Sequence, residues 1–325
     1  MHNESNMWAL VLAAGEGTRL RRLTTASCGT AIPKQFWSFR DGPSLLRDAL
    51  YRAHAVASAR HICVVVAKQH WRWWEPELES LPVENVIVQP ANRGTAIGIL
   101  LPLLHIVQRD PGAQIVLLPS DHYVREEATL ASALRRAGEQ LQWRSEETVL
   151  LGLEPENPDP QLGYIVPGRS DGRGIREVLQ FVEKPPMERA RELIEHGGLW
   201  NAFIVAATAE ALLALFQRRI PEILAEMRAA VHRDLSAHIG GLAVAGLYNH
   251  LPSIDFSRDI LSGQEARLRV LRVAQCGWSD LGTPERVAAA LRVAVHRESE
   301  PEIPASGYLN LAAQHERLSR LADVQ

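Results

Sequence analysis

Cysteine is scarce in this 325-residue chain. There are three, Cys28, Cys63 and Cys276, scattered far apart. A disulfide framework needs paired thiols and a zinc site needs clustered ligands, so neither is expected. An excess of one charge is also missing. The 35 Lys and Arg nearly balance the 38 Asp and Glu, for a formal net charge of −3. Nucleic acid as a partner is therefore not expected, and the Arg135-Arg136 and Arg218-Arg219 pairs read as solvated helix faces. No apolar run approaches the length of a membrane span. The start, MHNESN, is polar and leads into too short an apolar run for a signal peptide. A cytoplasmic globular protein with no membrane partner is the expectation. Two phosphate-binding signatures are absent as well. No Lys-Ser or Lys-Thr follows the glycines as a P-loop requires. Leu20 stands where a dinucleotide fingerprint needs a third small residue, which removes the main support for hydride transfer.

What is present begins at residue 13 with AAGEGTRLRRLTTASCGTAIPKQ. Met7–Leu12 is a short apolar run that stops abruptly before this loop, as a buried parallel strand would. Gly15 and Gly17 let backbone N–H groups approach phosphate oxygens, and Arg19 and Lys34 supply cations for such an anion. A plain strand-to-helix turn accounts for the glycines alone but not for the Thr-Arg and Pro-Lys pairs that follow.

Apolar runs then alternate with amphipathic segments. Strands are expected at 62–66, 85–89, 115–119 and 148–153, with helices at 44–57 and 94–108. This βαβ alternation predicts an α/β fold, a Rossmann-like doubly wound sheet with ligands at the carboxyl ends of its strands. The glycine loop, Gln89-Pro90 and Ser120-Asp121 all fall at such ends. Past residue 155 the pattern changes. Segments 163–166 and 175–182 read as a hairpin-like insertion, helices are expected near 187–196, 209–218 and 221–232, and a strand at 268–274. The tail from Glu298 reads as a linker and a short helix at Leu309–Leu321, without internal repeat or hexapeptide pattern. The expected division is a catalytic domain over 1–297, with halves meeting near residue 155, and a tail over 298–325. Trp71, Trp73 and Trp74 are expected to pack a helix on the sheet.

Asp121 follows Leu117-Leu118-Pro119-Ser120 and should project from a strand end, where a carboxylate suits a hard cation such as Mg²⁺. Asp280, within Gly277-Trp278-Ser279-Asp280-Leu281-Gly282-Thr283, is its distant partner. Each alone is equally well a turn or helix-capping aspartate. At Gln89-Pro90-Ala91-Asn92-Arg93-Gly94-Thr95-Ala96, backbone N–H groups near Gly94 and Thr95 are placed to face an anion or a base edge. An ordinary cap from Asn92 or Thr95 is the competing reading.

The G-x-G-T-R-L and P-K-Q-F runs, in order with P-S-D-H, F-V-E-K-P and W-S-D-L-G, resemble the sugar-1-phosphate nucleotidyltransferases. Among these the chain looks most like the mannose-1-phosphate guanylyltransferases (GDP-mannose pyrophosphorylases), through eight short motifs between about residues 8 and 290. The resemblance implies a mixed, GT-A-like nucleotidyltransferase sheet with inserted sugar-binding elements. It also implies metal-dependent transfer from an NTP, GTP favoured, to a sugar 1-phosphate, mannose 1-phosphate favoured. Carried over, Ala14, Gly15, Gly17, Thr18, Arg19, Lys34, Gln89, Pro90, Gly94 and Thr95 fall in the nucleotide site. Gly163, Glu183, Lys184, Asn201 and Asp255 fall on the sugar-phosphate side, Asp121 and Asp280 on the metal, and Arg19, Lys34 and Lys184 assist the reaction. His122 is expected in a supporting hydrogen bond. Because neighbours on a strand point to opposite faces, Glu183 and Lys184 are not expected as a simple ion pair.

The chain departs from its relatives in three places. A longer loop around Ser27–Thr30 separates Arg19 from Pro33-Lys34. Trp200-Asn201 continues Ala202-Phe203-Ile204 where the relatives typically have W-N-S-G-M-F. After Ser253-Ile254-Asp255-Phe256 an acidic residue stands at Asp259, displaced from its usual place. UTP or dTTP in place of GTP, and a non-catalytic nucleotide-sugar-binding regulator, are the alternative readings. Oligomeric state, monomer or homodimer, is open.

Overall fold

Alternate residues of one strand enter different cores. In β1 (Met7–Ala13), Trp8 and Leu10 join one hydrophobic cluster, while Met7, Ala9, Val11 and Ala13 join another. β4 (Gln114–Pro119) repeats this, with Ile115 and Leu117 on one face and Val116 and Leu118 on the other. A period of two with both faces apolar places the sheet between two helical layers. The computed structural model describes residues 6–25, 29–39, 42–237 and 240–298. Cys28, residues 26–28 of the longer loop and the expected 309–321 helix lie outside the described residues.

Among the described residues the sheet has nine strands, in the order β3-β2-β1-β4-β8-β5-β9-β7-β6. β2 (Ile62–Ala67) and β3 (Val86–Gln89) extend from β1 in parallel, and β4 flanks it in parallel on the other side. β5 (Thr148–Leu153) and β9 (Leu268–Val273) pair in parallel. β6 (Gly163–Ser170) and β7 (Ile175–Glu183) form the expected hairpin. A central strand was not legible in the sequence. β8 (Leu199–Thr208) runs antiparallel between β4 and β5, and its Tyr164–Trp200 pairing also draws in β6. Its direction sets its first residues, Trp200 and Asn201, alongside the carboxyl end of β5 and past that of β4.

On one face lie α1 (Leu45–His54), α2 (Trp71–Leu78) and α4 (Glu127–Leu141). On the other lie α3 (Gly94–Arg109), α6 (Ala209–Arg219), α7 (Pro221–Ala237) and α8 (Leu242–Tyr248). α5 (Met187–Glu195) packs on the β6 hairpin, and α9 (Pro284–Glu298) follows the Asp280 turn. Trp73 and Trp74 pack α2 against the core, whereas Trp71 is exposed. One compact unit runs through Val287, and a second begins at Ala288. Among the described residues no helix is long and apolar enough to cross a membrane.

Candidate active site

A cleft of about 650 Å³ opens along the carboxyl ends of β1, β3 and β4 and the first residues of β8. Of the seventeen residues that the resemblance assigns to the nucleotide, sugar-phosphate and metal sites, fourteen line it: Ala14, Gly15, Gly17, Arg19, Gln89, Gly94, Thr95, Asp121, Gly163, Glu183, Lys184, Asn201, Asp255 and Asp280. Lys34, Thr18 and Pro90 do not.

The glycine loop explains the position of Lys34. Gly17 is left-handed, with φ 60°, and a Cβ on it would lie 2.7 Å from the Lys34 backbone nitrogen. Among the described residues nothing lies within 4 Å of such an atom on Gly15, which lines the cleft. Gln35, which no spacing in the sequence marks out, is buried beneath the loop. Its Nε2 donates to Ala13 O at 3.0 Å and Gly15 O at 2.9 Å. An isolated Thr25–Ala31 bridge closes the longer loop at its base, so the added residues do not separate Lys34 from Gly17. Lys34 Nζ is engaged below the cleft floor, donating to Asp121 Oδ2 at 2.9 Å and also to the Asp280 carbonyl.

Asp121 and Asp280 meet because their segments zip together. Tyr123 and Ser279 exchange two backbone hydrogen bonds of 2.9 Å, and Arg125 and Glu126 donate to Cys276 O. Arg52 braces the turn, donating in bidentate fashion to Glu127 and through Nη1 to His122 O at 3.1 Å. Burial works against the Asp121 charge, but Lys34 and His122 more than offset it and hold the carboxyl below its ordinary pKa. His122 Nδ1 accepts from Trp278 Nε1 at 3.2 Å, the supporting bond expected for this residue. Burial pushes its imidazole down to about 4, so it is neutral near pH 7. Both aspartates offer oxygen donors. Among the described residues no group of three or more His, Cys, Asp or Glu converges to hold a metal. The pair therefore fits a hard cation that takes one or two carboxylates and completes its shell with substrate phosphates.

At the β3 end, Gln89 is buried, and its Oε1 has no hydrogen-bond partner among the described residues. Two of the backbone groups expected to face a ligand are otherwise occupied. Gly94 N donates to Asn92 Oδ1 at 2.9 Å, and Ala96 N to Ile254 O at 3.0 Å. The Thr95 hydroxyl accepts from Phe256 N at 2.8 Å. Gly94 is required for this docking, since a Cβ there would fall 2.2 Å from Ile254 O.

At the other end, Gly163 pairs with Glu183, and a Cβ on it would meet Glu183 Oε2 at 2.6 Å. The glycine clears space for that carboxylate. The expectation against a Glu183–Lys184 pair is corrected by the backbone. Lys184 is left-handed, φ 48°, which turns its side chain back, and Nζ lies 3.2 Å from Glu183 Oε1. Burial raises the Glu183 pKa, and Lys184 pulls it the other way. Asn201 Oδ1 accepts from Phe203 N at 3.1 Å. Phe203 itself has φ 56°, at the position where the resembling family has glycine, and its ring packs edge-on to Phe256. Asp255 caps a π-helical turn at Phe256–Leu261, accepting from Arg258 N at 2.9 Å, and Asp259 Oδ2 accepts from Asp255 N. Phe203, Gln161 and Arg258 line the cleft without having been singled out for it. Phe203 stood in the sequence only as a departure, and the other two lie in no recognisable spacing.

Residues 8–294 match the nucleotidyl transferase family, and the chain belongs to it. Enzymes of this family generally use a divalent metal ion. The chain is 26% identical over 284 residues to a putative mannose-1-phosphate guanylyltransferase of Vibrio cholerae, covering 84% of this chain and 58% of that protein. It is 27% identical over 283 residues to the mannose-1-phosphate guanylyltransferase of Sinorhizobium fredii, covering 85% and 53%. The chain thus spans little more than half the length of these relatives. A crystal structure from Thermus thermophilus, described as a mannose-1-phosphate geranyltransferase, superposes with a TM-score of 0.72. It is 27% identical and covers 85% of this chain and 76% of that one.

Proposed function

We propose that this chain transfers a nucleoside monophosphate from an NTP to a sugar 1-phosphate, with release of pyrophosphate. GTP and mannose 1-phosphate are the favoured pair. The observation that carries the reading is the single cleft. It holds a glycine loop with Arg19 at one end, Glu183, Lys184, Asn201 and Asp255 at the other, and the two aspartates between them. The names of the relatives support the choice of substrates. The unpartnered Gln89 Oε1, an acceptor, supports a base that presents an N–H donor there, as guanine does.

In the proposed reaction an oxygen of the sugar phosphate attacks the α-phosphorus in line. The new P–O bond forms as the bond to the bridging oxygen breaks, and pyrophosphate leaves with that oxygen. Such chemistry depends on positioning and charge neutralisation rather than on a protein nucleophile. Arg19 would hold the triphosphate. Lys34, seated on Asp121, would act on the phosphates through the carboxylate it orients. Lys184 would offset the charge of the attacking phosphate, while Glu183, Asn201 and Asp255 accept from sugar hydroxyls. Asp121 and Asp280 would hold Mg²⁺, which when bound neutralises phosphate charge. An NTP consumer of this kind is expected in the cytoplasm, where NTPs are supplied.

Pyrophosphate release measured over a panel of NTPs and sugar 1-phosphates tests the proposal. GTP with mannose 1-phosphate is expected to give the highest kcat/KM. A preference for UTP or dTTP would keep the reaction and replace the base. Tight nucleotide-sugar binding without turnover of any pair would favour a regulator.

A further inference from the structure

Arg286, in the first turn of α9, has no part in the chemistry above, yet it holds one of its carboxylates. Its Nη1 donates to Asp280 Oδ1 at 2.5 Å and its Nη2 donates to Asp159 Oδ2. Gly282 N donates to the same Asp280 Oδ1 at 3.0 Å, so Oδ2 is the oxygen left for a ligand. A Cβ at Gly282 would lie 2.9 Å from Arg286 Nη1 and 2.5 Å from Asp280 Oδ2, so the pair forms because that residue is glycine. Asp121 is treated alike, with Oδ2 occupied by Lys34 Nζ. Two carboxylates are thus met by two cations, and the pair is close to neutral in the protein alone.

The second partner of Arg286 ties this centre to the cleft wall. Asp159 belongs to the segment leading into β6. Its backbone N–H donates to the Tyr164 hydroxyl at 2.8 Å, and that hydroxyl also accepts from Trp200 Nε1 at 3.1 Å. Asp159 Oδ1 accepts from Gln161 N at 2.8 Å, and the Gln161 side chain accepts from Arg19 Nη1 at 3.5 Å. One guanidinium therefore links Asp280 to the wall that carries Gln161 beside Arg19.

We infer that Arg286 is a positioning residue that restricts Asp280 to one ligand oxygen and cancels its charge. The bare protein then holds a divalent cation weakly, and firm binding waits for the phosphate charges of a nucleotide. The inference rests on the reading of Asp121 and Asp280 as the metal-holding pair.

Mn²⁺ titration of the nucleotide-free protein, followed by electron paramagnetic resonance, tests it. Removing a neighbouring cation strengthens the field at the site. Arg286→Met is therefore expected to bind Mn²⁺ roughly tenfold more tightly than the unaltered chain. The gain should disappear in Arg286→Met/Asp280→Asn. Should Arg286→Met fail to fold with Asp159 unpaired, Arg286→Met/Asp159→Asn is titrated by the same criterion. Unchanged or weaker Mn²⁺ affinity in a folded variant, or a gain that survives Asp280→Asn, overturns the inference while leaving the metal pair in place. Mn²⁺ affinity indifferent to both Asp121→Asn and Asp280→Asn overturns the metal reading, and the inference with it.

Discussion

Gly17 and Lys34 touch through their backbones, at a distance that only a glycine at position 17 allows. Gly17→Ala combines a Cβ clash with a left-handed φ, a conformation that costs an L-residue about 1–2 kcal/mol. The variant should melt at lower temperature and lose turnover, because relief requires moving Lys34 off Asp121. Gly15→Ala is the contrast. Among the described residues no atom lies within 4 Å of its Cβ, so the melting temperature should hold while KM for the NTP rises. Thermal denaturation beside steady-state kinetics separates the two.

Asp121→Asn keeps the shape of the turn but removes the charge that Lys34 answers. Turnover is expected to fall by on the order of 10²–10³, in line with the loss of one charge-stabilising group from a transition state. Near-normal turnover by folded protein would remove Asp121 from the metal pair.

Gln89→Leu should separate stability from activity. The buried Oε1 has no partner among the described residues, and an apolar replacement of similar shape relieves that cost. The thermal midpoint should stay level or rise. Losing the amide's bond to the base should lower kcat/KM for GTP by about 5–100-fold, the equivalent of about 1–3 kcal/mol.

His122 makes stability depend on pH. The unfolded imidazole takes up a proton below its ordinary value of 6.5, whereas the folded one, held down by burial, does so only near 4. Between those values the unfolded state binds more protons, so stability falls as pH falls from 6.5 to about 4 and then levels. The loss is about 3 kcal/mol at most. His105, also pushed down to about 4 by burial, acts in the same direction. Urea midpoints at pH 7 and pH 5 should converge partly, not wholly, in His122→Gln.

Phe203→Gly removes a strained residue and the ring beside Phe256 together. The two effects oppose each other, so the change in stability should be small. Selectivity should loosen, with the kcat/KM ratio between mannose 1-phosphate and a bulkier sugar 1-phosphate falling by up to about tenfold.

Much of the fold was legible because period and polarity reveal it. β1, β2, β3, β4 and β5 and the buried helix α3 stand out as apolar runs punctuated by glycine or proline. β8 did not, because its partners β4 and β5 lie far off in sequence, and its Trp-Asn start drew attention as a motif rather than as a strand. The site was legible where the motifs are short and ordered, at the glycine loop, Asp121, Glu183-Lys184 and Asp280. Backbone handedness was not. Lys184 and Phe203 are left-handed without being glycine, and that decides the Glu183–Lys184 pair and the wall beside Asn201. The supporting shell was equally hidden. Arg52, Gln35 and Arg286 act through contacts made only after folding, with no spacing to announce them.

The Thr25–Ala31 bridge is a staple across the root of the longer loop. Below it, Gly17 packs against Lys34 and Gln35 holds the glycine loop through contacts that involve none of residues 26–30. The loop is therefore a module that a lineage can lengthen or shorten without retuning the phosphate end of the cleft.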